Sequence, residues 1–289
     1  MSHILLALET SGTRCGVALL QGDLTHATVT VDHHDGSQEH AERLLPMVTA
    51  LLSQANLTCA DVQAIAFGQG PGGFTGLRVA CGVAQGIALA LGIGVVPIGT
   101  LDAIAHDVRH RAQPVVAAVA MDARMGEAYA ALFILMPEPA GSGAQDATAG
   151  SGDAAERTAP ILVQGPLLLT ASDLAAWLHD AKQQAAVALA GHGLVPAACA
   201  WVVAGDGWAV HAAGQRPGAP WEVDPIDRPS AHAVARLGLQ ALTQGRAIDA
   251  ALAQPLYVRD KVAFTTLERA EGLGGNPKAA AHAATRSSS

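Results

Sequence analysis

Positive charge is scarce in this 289-residue chain, where 17 Lys and Arg stand against 25 Asp and Glu and the formal net charge is -8. Affinity for a phosphate backbone comes mainly from clustered Lys and Arg, so a broad basic face for nucleic acid is excluded and any role with RNA is indirect. Cysteine is equally sparse. Cys15, Cys59, Cys81 and Cys199 form no CxxC pair, and each lies in an apolar setting that suits a buried free thiol in a reducing cytoplasm. The opening MSHILLALET has no basic segment before its apolar run and meets Glu9 too early for a signal peptide. The longest nearly apolar run, Gly86 to Gly99, falls short of the about 18 residues a membrane helix needs, so no membrane partner is expected.

What is present is a chain that folds: half of it is hydrophobic and 15% is charged. Its length suits one large or two moderate domains, and two are expected. Ile4 to Leu8, Gly16 to Gln21 and Thr25 to Val31 read as strands joined by ETSGTRC and GDL. These connectors are too short for a parallel crossover, so the three strands form an antiparallel meander. SQEHAERLLPMVTALLSQA follows, with Leu44, Leu45, Val48, Leu51 and Leu52 on one stripe of a helix, Ser37 as N-cap and Pro46 as a candidate kink. A fourth strand, Val62 to Phe67, leads to a glycine loop and a second helix. A fifth, IGVVPIG, leads to a third helix, TLDAIAHDVRHRA.

In the loop FGQGPGGFTGLRVA, Gly68, Gly70 and Gly73 have the G-x-G-x-x-G spacing of a dinucleotide turn. Two features argue against that use, and a third against a phosphate loop. A Rossmann domain carries its glycine turn after the first strand, and here it follows the fourth. The acid that holds the ribose about 20 residues on is missing, with Asp102 too late. A phosphate loop needs a lysine, whereas Gly76 is followed by Leu77 and Arg78. Tight turning and close packing take precedence over nucleotide cradling. The helix after the loop, TGLRVACGVAQGIALALG, is built from small and aliphatic residues, with Gly82 and Gly86 four apart and Ala80, Ala84 and Ala88 at the same interval. Each interior glycine costs about 1 kcal/mol against alanine, so another element must approach closely: either the chain's own sheet or helices of another protein. His40, Met47 and Ala50, on the outer face of the first helix, extend such a patch.

The first hundred residues therefore run βββαβαβα, the order of the actin, sugar kinase and Hsp70 superfamily (ASKHA), an α/β fold of two related lobes, each with a mixed sheet flanked by helices. An internal echo supports two halves. LALETSGTRCGVALL and VAMDARMGEAYAALF each place an acid at a strand end, then a turn, then an apolar strand, so that Glu9 matches Asp122 and Val17 to Leu20 match Tyr129 to Leu132. The N-terminal lobe is assigned to 1–111 and the C-terminal lobe to 112–268. Within the latter, 138–160 is a Gly, Ala, Ser and Pro-rich insertion expected to be mobile, and 269–289 is expected to be a disordered tail. Further elements are a helix DLAAWLHDA capped by Ser172, a strand with a glycine turn in AWVVAGDGW, and a helix SAHAVARLGLQALTQG after Pro229.

HAERLLPMVTALL, FGQGPGGFTGLRVACGVAQGIALAL, MDARMGEAYAALF and the C-terminal PLYVRDKVAF together resemble the TsaB (YeaZ) family of bacterial tRNA threonylcarbamoyladenosine synthesis. The resemblance spans most of the chain apart from the insertion and tail. It implies a noncatalytic subunit with no cofactor of its own. Its partner is the paralogue TsaD, which modifies the tRNA adenosine next to the anticodon. The heterodimer forms through the first two helices, and the small ATPase TsaE joins in a larger complex. The implied interface residues are His40, Leu44, Met47, Leu77, Ala80, Gly82, Ala84 and Gly86. A homodimer through the same helices is expected when the partner is absent. The alternative is a nucleotide-dependent transferase with ATP between its lobes.

Candidate chemistry points the same way. Where TsaD carries an H-x-E-G-H metal motif, the equivalent stretch here is Thr100 to Ile104, without histidine. Asp102, His106 and His110 share one helical stripe and could present two imidazoles and a carboxylate to zinc, yet the order is not H-E-x-x-H, and a solvated helix face is the favoured reading. His33, His34 and His40 read as a polar loop and helix start. Asp122, Arg124 and Glu127 read as a hairpin turn with a surface ion pair. Glu9 and Ser11 stand where the superfamily places its first phosphate loop, so Glu9, Ser11, Asp122 and Arg124 are the candidate nucleotide contacts. No Ser-His-Asp arrangement is supported by spacing.

Overall fold

The computed structural model describes residues 1–36, 39–108, 113–137, 158–211 and 218–259. β1 (His3–Glu9), β2 (Arg14–Gly22) and β3 (Thr28–Asp35) form the expected meander. β4 (Ala64–Gly70) and β5 (Gly94–Gly99) then add parallel to β1, giving the order β3-β2-β1-β4-β5. α1 (His40–Gln54) precedes β4, α2 (Phe74–Leu91) lies between β4 and β5, and α3 (Thr100–Asp107) follows β5. β6 (Val115–Asp122), β7 (Glu127–Leu135), β8 (Ile161–Thr170), β9 (Ala200–Ala204) and β10 (Glu222–Val223) form a second sheet, ordered β10-β9-β6-β7-β8.

The second sheet repeats the first strand for strand, with the same antiparallel and parallel pairings. Register agrees with the internal echo: Glu9 pairs with Gly16, Leu8 with Val17 and Leu5 with Leu20, while Asp122 pairs with Ala128, Met121 with Tyr129 and Ala118 with Leu132. This is the two-lobed ASKHA architecture.

Apolar residues alternate across each sheet and so build a core on both faces. α1 and α2 cover one face of the first sheet through Leu44, Val48, Leu51, Ala80 and Ala84. α6 (Ala231–Thr243) covers the other face through Ala233, Val234 and Leu237. In the second lobe, α4 (Ala171–Gly191) and α5 (Asp206–His211) bury Leu174, Trp177, Ala181 and Trp208 against one face, and α3 sends Leu101, Ile104 and Val108 to the other.

The sequence assigns all of 112–268 to the second lobe. Within that span α6 and residues near Ile248 belong to the first, because Gly238 lies so close to Ala66 that a Cβ there would stand 2.5 Å from it, and Ile248 bridges Val95. β3 begins at Thr28 rather than Thr25, since the Asp23 carboxylate accepts from the N–H groups of Thr25 and His26 and holds a turn there. α1 continues through Pro46, its N-cap is Glu39 with no side-chain cap bond, and Ser37 lies outside the described residues. α4 is capped by Thr170, whose hydroxyl accepts from the Asp173 N–H at 3.2 Å, with Ser172 inside the first turn. Cys59 is exposed, on a short 3-10 turn, while Cys15 and Cys81 are buried as expected. Residues 138–157 of the insertion and the whole of the tail 269–289 lie outside the described residues.

Candidate functional site

The glycine loop is filled by its own chain. Gly73 donates its N–H to the Ser11 carbonyl at 2.7 Å, and the Thr10 hydroxyl donates to the Gly76 carbonyl at 2.7 Å. A Cβ at Gly68 would overlap the Glu9 carboxyl, one at Gly72 would stand 2.6 Å from the Ser11 carbonyl oxygen, and one at Gly76 would overlap that of Thr10. The glycines let α2 lie against the β1–β2 turn. Glu9 is buried there. Its Oε1 accepts from the Ser11 N–H at 2.6 Å and the Ser11 hydroxyl at 2.5 Å, and burial pushes its pKa up despite those two bonds.

The matching turn of the second lobe has a different character. Asp122 accepts from the Arg124 N–H at 2.9 Å, pairs with the Arg124 guanidinium at 3.0 Å and meets His211 at 3.1 Å. Asp206 accepts from the Asp122 N–H at 2.9 Å, and burial raises its pKa, with Asp122 and Asp227 adding to the effect. The Arg124 side chain is exposed but that of Asp122 is buried, so the pair sits at the edge of the fold rather than on the open surface the sequence suggests. Glu127 departs from expectation, because it is buried and salt-bridged to Arg259 at 2.5 Å. Arg259 also donates to the Ala123 carbonyl at 3.0 Å, so residues beyond β10 clamp this turn.

The stripe Asp102, His106 and His110 is not a solvated face. His106 is only 1% exposed, and burial pushes Asp102 up to about 6. α3 is enclosed because it lies between α6 and the second sheet; His110 is outside the described residues. There Ser230 donates to Asp107 at 2.5 Å, while His106 and His232 approach the same carboxylate at 3.3 and 3.8 Å. Burial opposes ionisation of Asp107, yet the two imidazoles hold its carboxyl well below the usual range. Spacing gave no sign of this cluster. It is not arranged as a nucleophilic triad, since the carboxylate rather than an imidazole accepts the hydrogen bond of the serine hydroxyl, and the Ser230 oxygen accepts from the Ala233 N–H as the N-cap of α6. No group of three or more His, Cys, Asp or Glu suited to a metal occurs among the described residues.

The interface residues divide by helical phase. His40, Leu44, Met47, Leu77, Ala80 and Ala84 are buried within the chain, because the i, i+3, i+4 stripe of each helix faces the sheet. The expectation that His40 and Met47 lie on an outer face is thereby corrected; the His40 ring instead meets the Gly12 carbonyl at 3.1 Å. Gly82 and Gly86 are exposed, and among the described residues a Cβ on either would meet nothing within 4 Å. With Phe74, Arg78, Leu89 and Ala90 they form the outward strip of α2, beside exposed Leu45 and Ala50 on α1. α2 has a mean hydropathy of 1.5 over 18 residues, enough by length and composition to cross a membrane, with only 33% of those residues buried. It lies along the sheet with Leu77, Ala80 and Ala84 inside.

A family model described as TsaD, tRNA N6-adenosine threonylcarbamoyltransferase, matches residues 33–215. The tRNA threonylcarbamoyladenosine biosynthesis protein TsaB of Escherichia coli K12 is 29% identical over 91% of this chain and 97% of its own length. The chain belongs to the TsaB (YeaZ) family. TsaB of Haemophilus influenzae is 44% identical over 43% of this chain, a match that spans 51% of that relative. Among solved structures, YeaZ from Pseudomonas aeruginosa superposes with a TM-score of 0.64 and 32% identity, covering 88% of this chain and 99% of that one. A second structure, of a protein described as similar to the peptidase YeaZ, gives 0.65 and 31%. In this TsaB-family chain, the first-lobe turn and its glycine loop hold each other, and the far side of α2 carries apolar surface that is exposed among the described residues.

Proposed function

We propose that the chain is a noncatalytic subunit of the bacterial tRNA threonylcarbamoyladenosine machinery. It docks its α1–α2 face on the TsaD-type transferase, with a TsaE-type ATPase joining the assembly and tRNA contacted only indirectly, in the cytoplasm. Membership of a family named for this biosynthesis supports a part in the process. The observation that carries the docking role is the outward strip of α2: an apolar helix with two interior glycines whose missing side chains leave open space. Interior glycines weaken a helix unless a neighbour uses the room, and within the described residues none does. Gly82 and Gly86 thus remain as interface residues, while the buried Leu44, Met47, Leu77, Ala80 and Ala84 set the position of the strip from behind. Without the transferase the same strip would pair with a second copy.

Titration calorimetry of the purified chain against the TsaD-type subunit tests this, using wild type and Gly82→Leu, each with and without ATP and magnesium. Wild type binds and Gly82→Leu loses at least about tenfold in affinity while remaining folded, because the new side chain holds the backbones apart. Micromolar ATP binding by the isolated chain, with turnover, would instead favour a nucleotide-dependent transferase using Glu9, Ser11, Asp122 and Arg124.

A further inference from the structure

At the N-terminal end of the α2 strip, three exposed side chains are locked together. The Arg78 guanidinium carbon lies 3.5 Å from the centroid of the Phe74 ring, its Nε donates to the Tyr257 hydroxyl at 3.0 Å, and the two rings stand 5.3 Å apart. Tyr257 is brought there by the segment after the last 3-10 turn. The Leu256 N–H donates to the Gln69 carbonyl at 2.8 Å, and the Gln69 side chain donates to the Gln254 carbonyl at 3.1 Å. Two residues on, Arg259 is fixed to Glu127 of the other lobe. Phe74 and Tyr257 are nevertheless 38% and 45% exposed.

Arg78 is the sole charged residue of α2. Stacking and the tyrosine fix its plane while leaving both terminal nitrogens without an acceptor among the described residues. An arginine held in this way has lost most of its rotamer freedom before any ligand arrives, and its fork matches a carboxylate with two parallel hydrogen bonds. Resting on the docking role proposed above, we infer that Arg78, framed by Phe74 and Tyr257, is the polar anchor of the interface and receives an Asp or Glu carboxylate of the partner protein. Docking along α2 takes this guanidinium out of water, and a buried cation without an anion is strongly unfavourable, so the otherwise apolar partner face must supply one. Arginine and tyrosine in a packed, water-excluded pocket are the residues that dominate binding energy at protein interfaces. A phosphate is the poorer occupant, since the chain is acidic overall and Arg43, the one cation on neighbouring α1, is already paired with Glu39 at 2.9 Å.

Calorimetry of the full chain with the TsaD-type subunit, run for wild type, Arg78→Met, Arg78→Lys, Tyr257→Phe and Gly82→Leu, tests the inference, with thermal unfolding as the folding control. Arg78→Met is expected to weaken binding about 30-fold or more. Arg78→Lys should recover little of that, because an ammonium has no fork and stacks poorly, and Tyr257→Phe should weaken binding a few-fold by freeing the arginine. Affinity lost in Gly82→Leu but kept within about twofold in both Arg78 variants overturns the anchor and leaves the docking role standing. Affinity kept in all variants removes the docking role itself. If Arg78→Met leaves partner binding intact but lowers direct binding of tRNA, the patch is a nucleic-acid contact and the inference is wrong.

Discussion

The Thr10 hydroxyl donates to the Gly76 carbonyl at 2.7 Å, and a Cβ on Gly76 would overlap the Thr10 carbonyl oxygen. The two residues come from the β1–β2 turn and the first turn of α2, and their contact holds the glycine loop against that turn. Gly76→Ala therefore has to push rigid backbone apart. We expect a loss of about 2–4 kcal/mol in denaturant unfolding, within the range for overpacked and strained sites. An unchanged unfolding midpoint would show that the loop has slack.

Gly82 and Gly86 give the opposite result. Among the described residues neither has a neighbour within 4 Å of an added Cβ, so Gly82→Ala and Gly86→Ala should each stabilise the isolated chain by about 0.5–1 kcal/mol through helix propensity. Chemical denaturation of the two variants, alone and combined, checks the gain.

Arg259 joins the two lobes through a buried bridge to Glu127 and the carbonyls of Ala123 and Arg124. Removing one partner leaves the other charge buried, so Arg259→Met is expected to cost about 3–5 kcal/mol, and Glu127→Gln combined with Arg259→Met should cost less than Arg259→Met alone. A double-mutant cycle by urea unfolding measures the difference.

Asp102 supplies a pH dependence. Burial raises its carboxyl from 3.8 to about 6 in the folded chain, so the folded state binds its proton more tightly than the unfolded state does. Stability from this group is complete below about pH 4, falls as pH rises towards 6, and levels above that. Asp102→Asn should flatten the slope and leave the chain more stable at pH 7 by on the order of 3 kcal/mol, at about 1.36 kcal/mol per pKa unit. Urea titrations at pH 4, 5, 6 and 7 provide the comparison. Glu9, also raised by burial, tilts stability in the same direction and remains in both proteins.

Much of the architecture was legible because it is written in local patterns. Short connectors forced the meander, and the acid–turn–strand echo anticipated the register of both lobes, with Glu9 and Asp122 at matching strand ends. The burial phase of the helices was read less well. His40 and Met47 were placed outside, and His106 and Asp102 in solvent, because composition does not say that α3 is enclosed between α6 and the second sheet. The return of α6 to the first lobe depends on a Gly238–Ala66 contact between residues 172 positions apart in sequence, which no periodicity reports. The Phe74–Arg78–Tyr257 cluster was missed for the same reason. Phe74 and Arg78 show the i, i+4 spacing of one helix face, but nothing local brings Tyr257 to it.

The central claim is that the protein works through the outward strip of α2. Hydrogen–deuterium exchange on the chain, alone and saturated with the TsaD-type subunit, tests it most directly. Slowed exchange over residues 74–91 and the exposed positions of α1, with little change in β6 and β7, is the predicted result. Protection confined to the Asp122–Glu127 turn, with α2 unchanged in the complex, would contradict it.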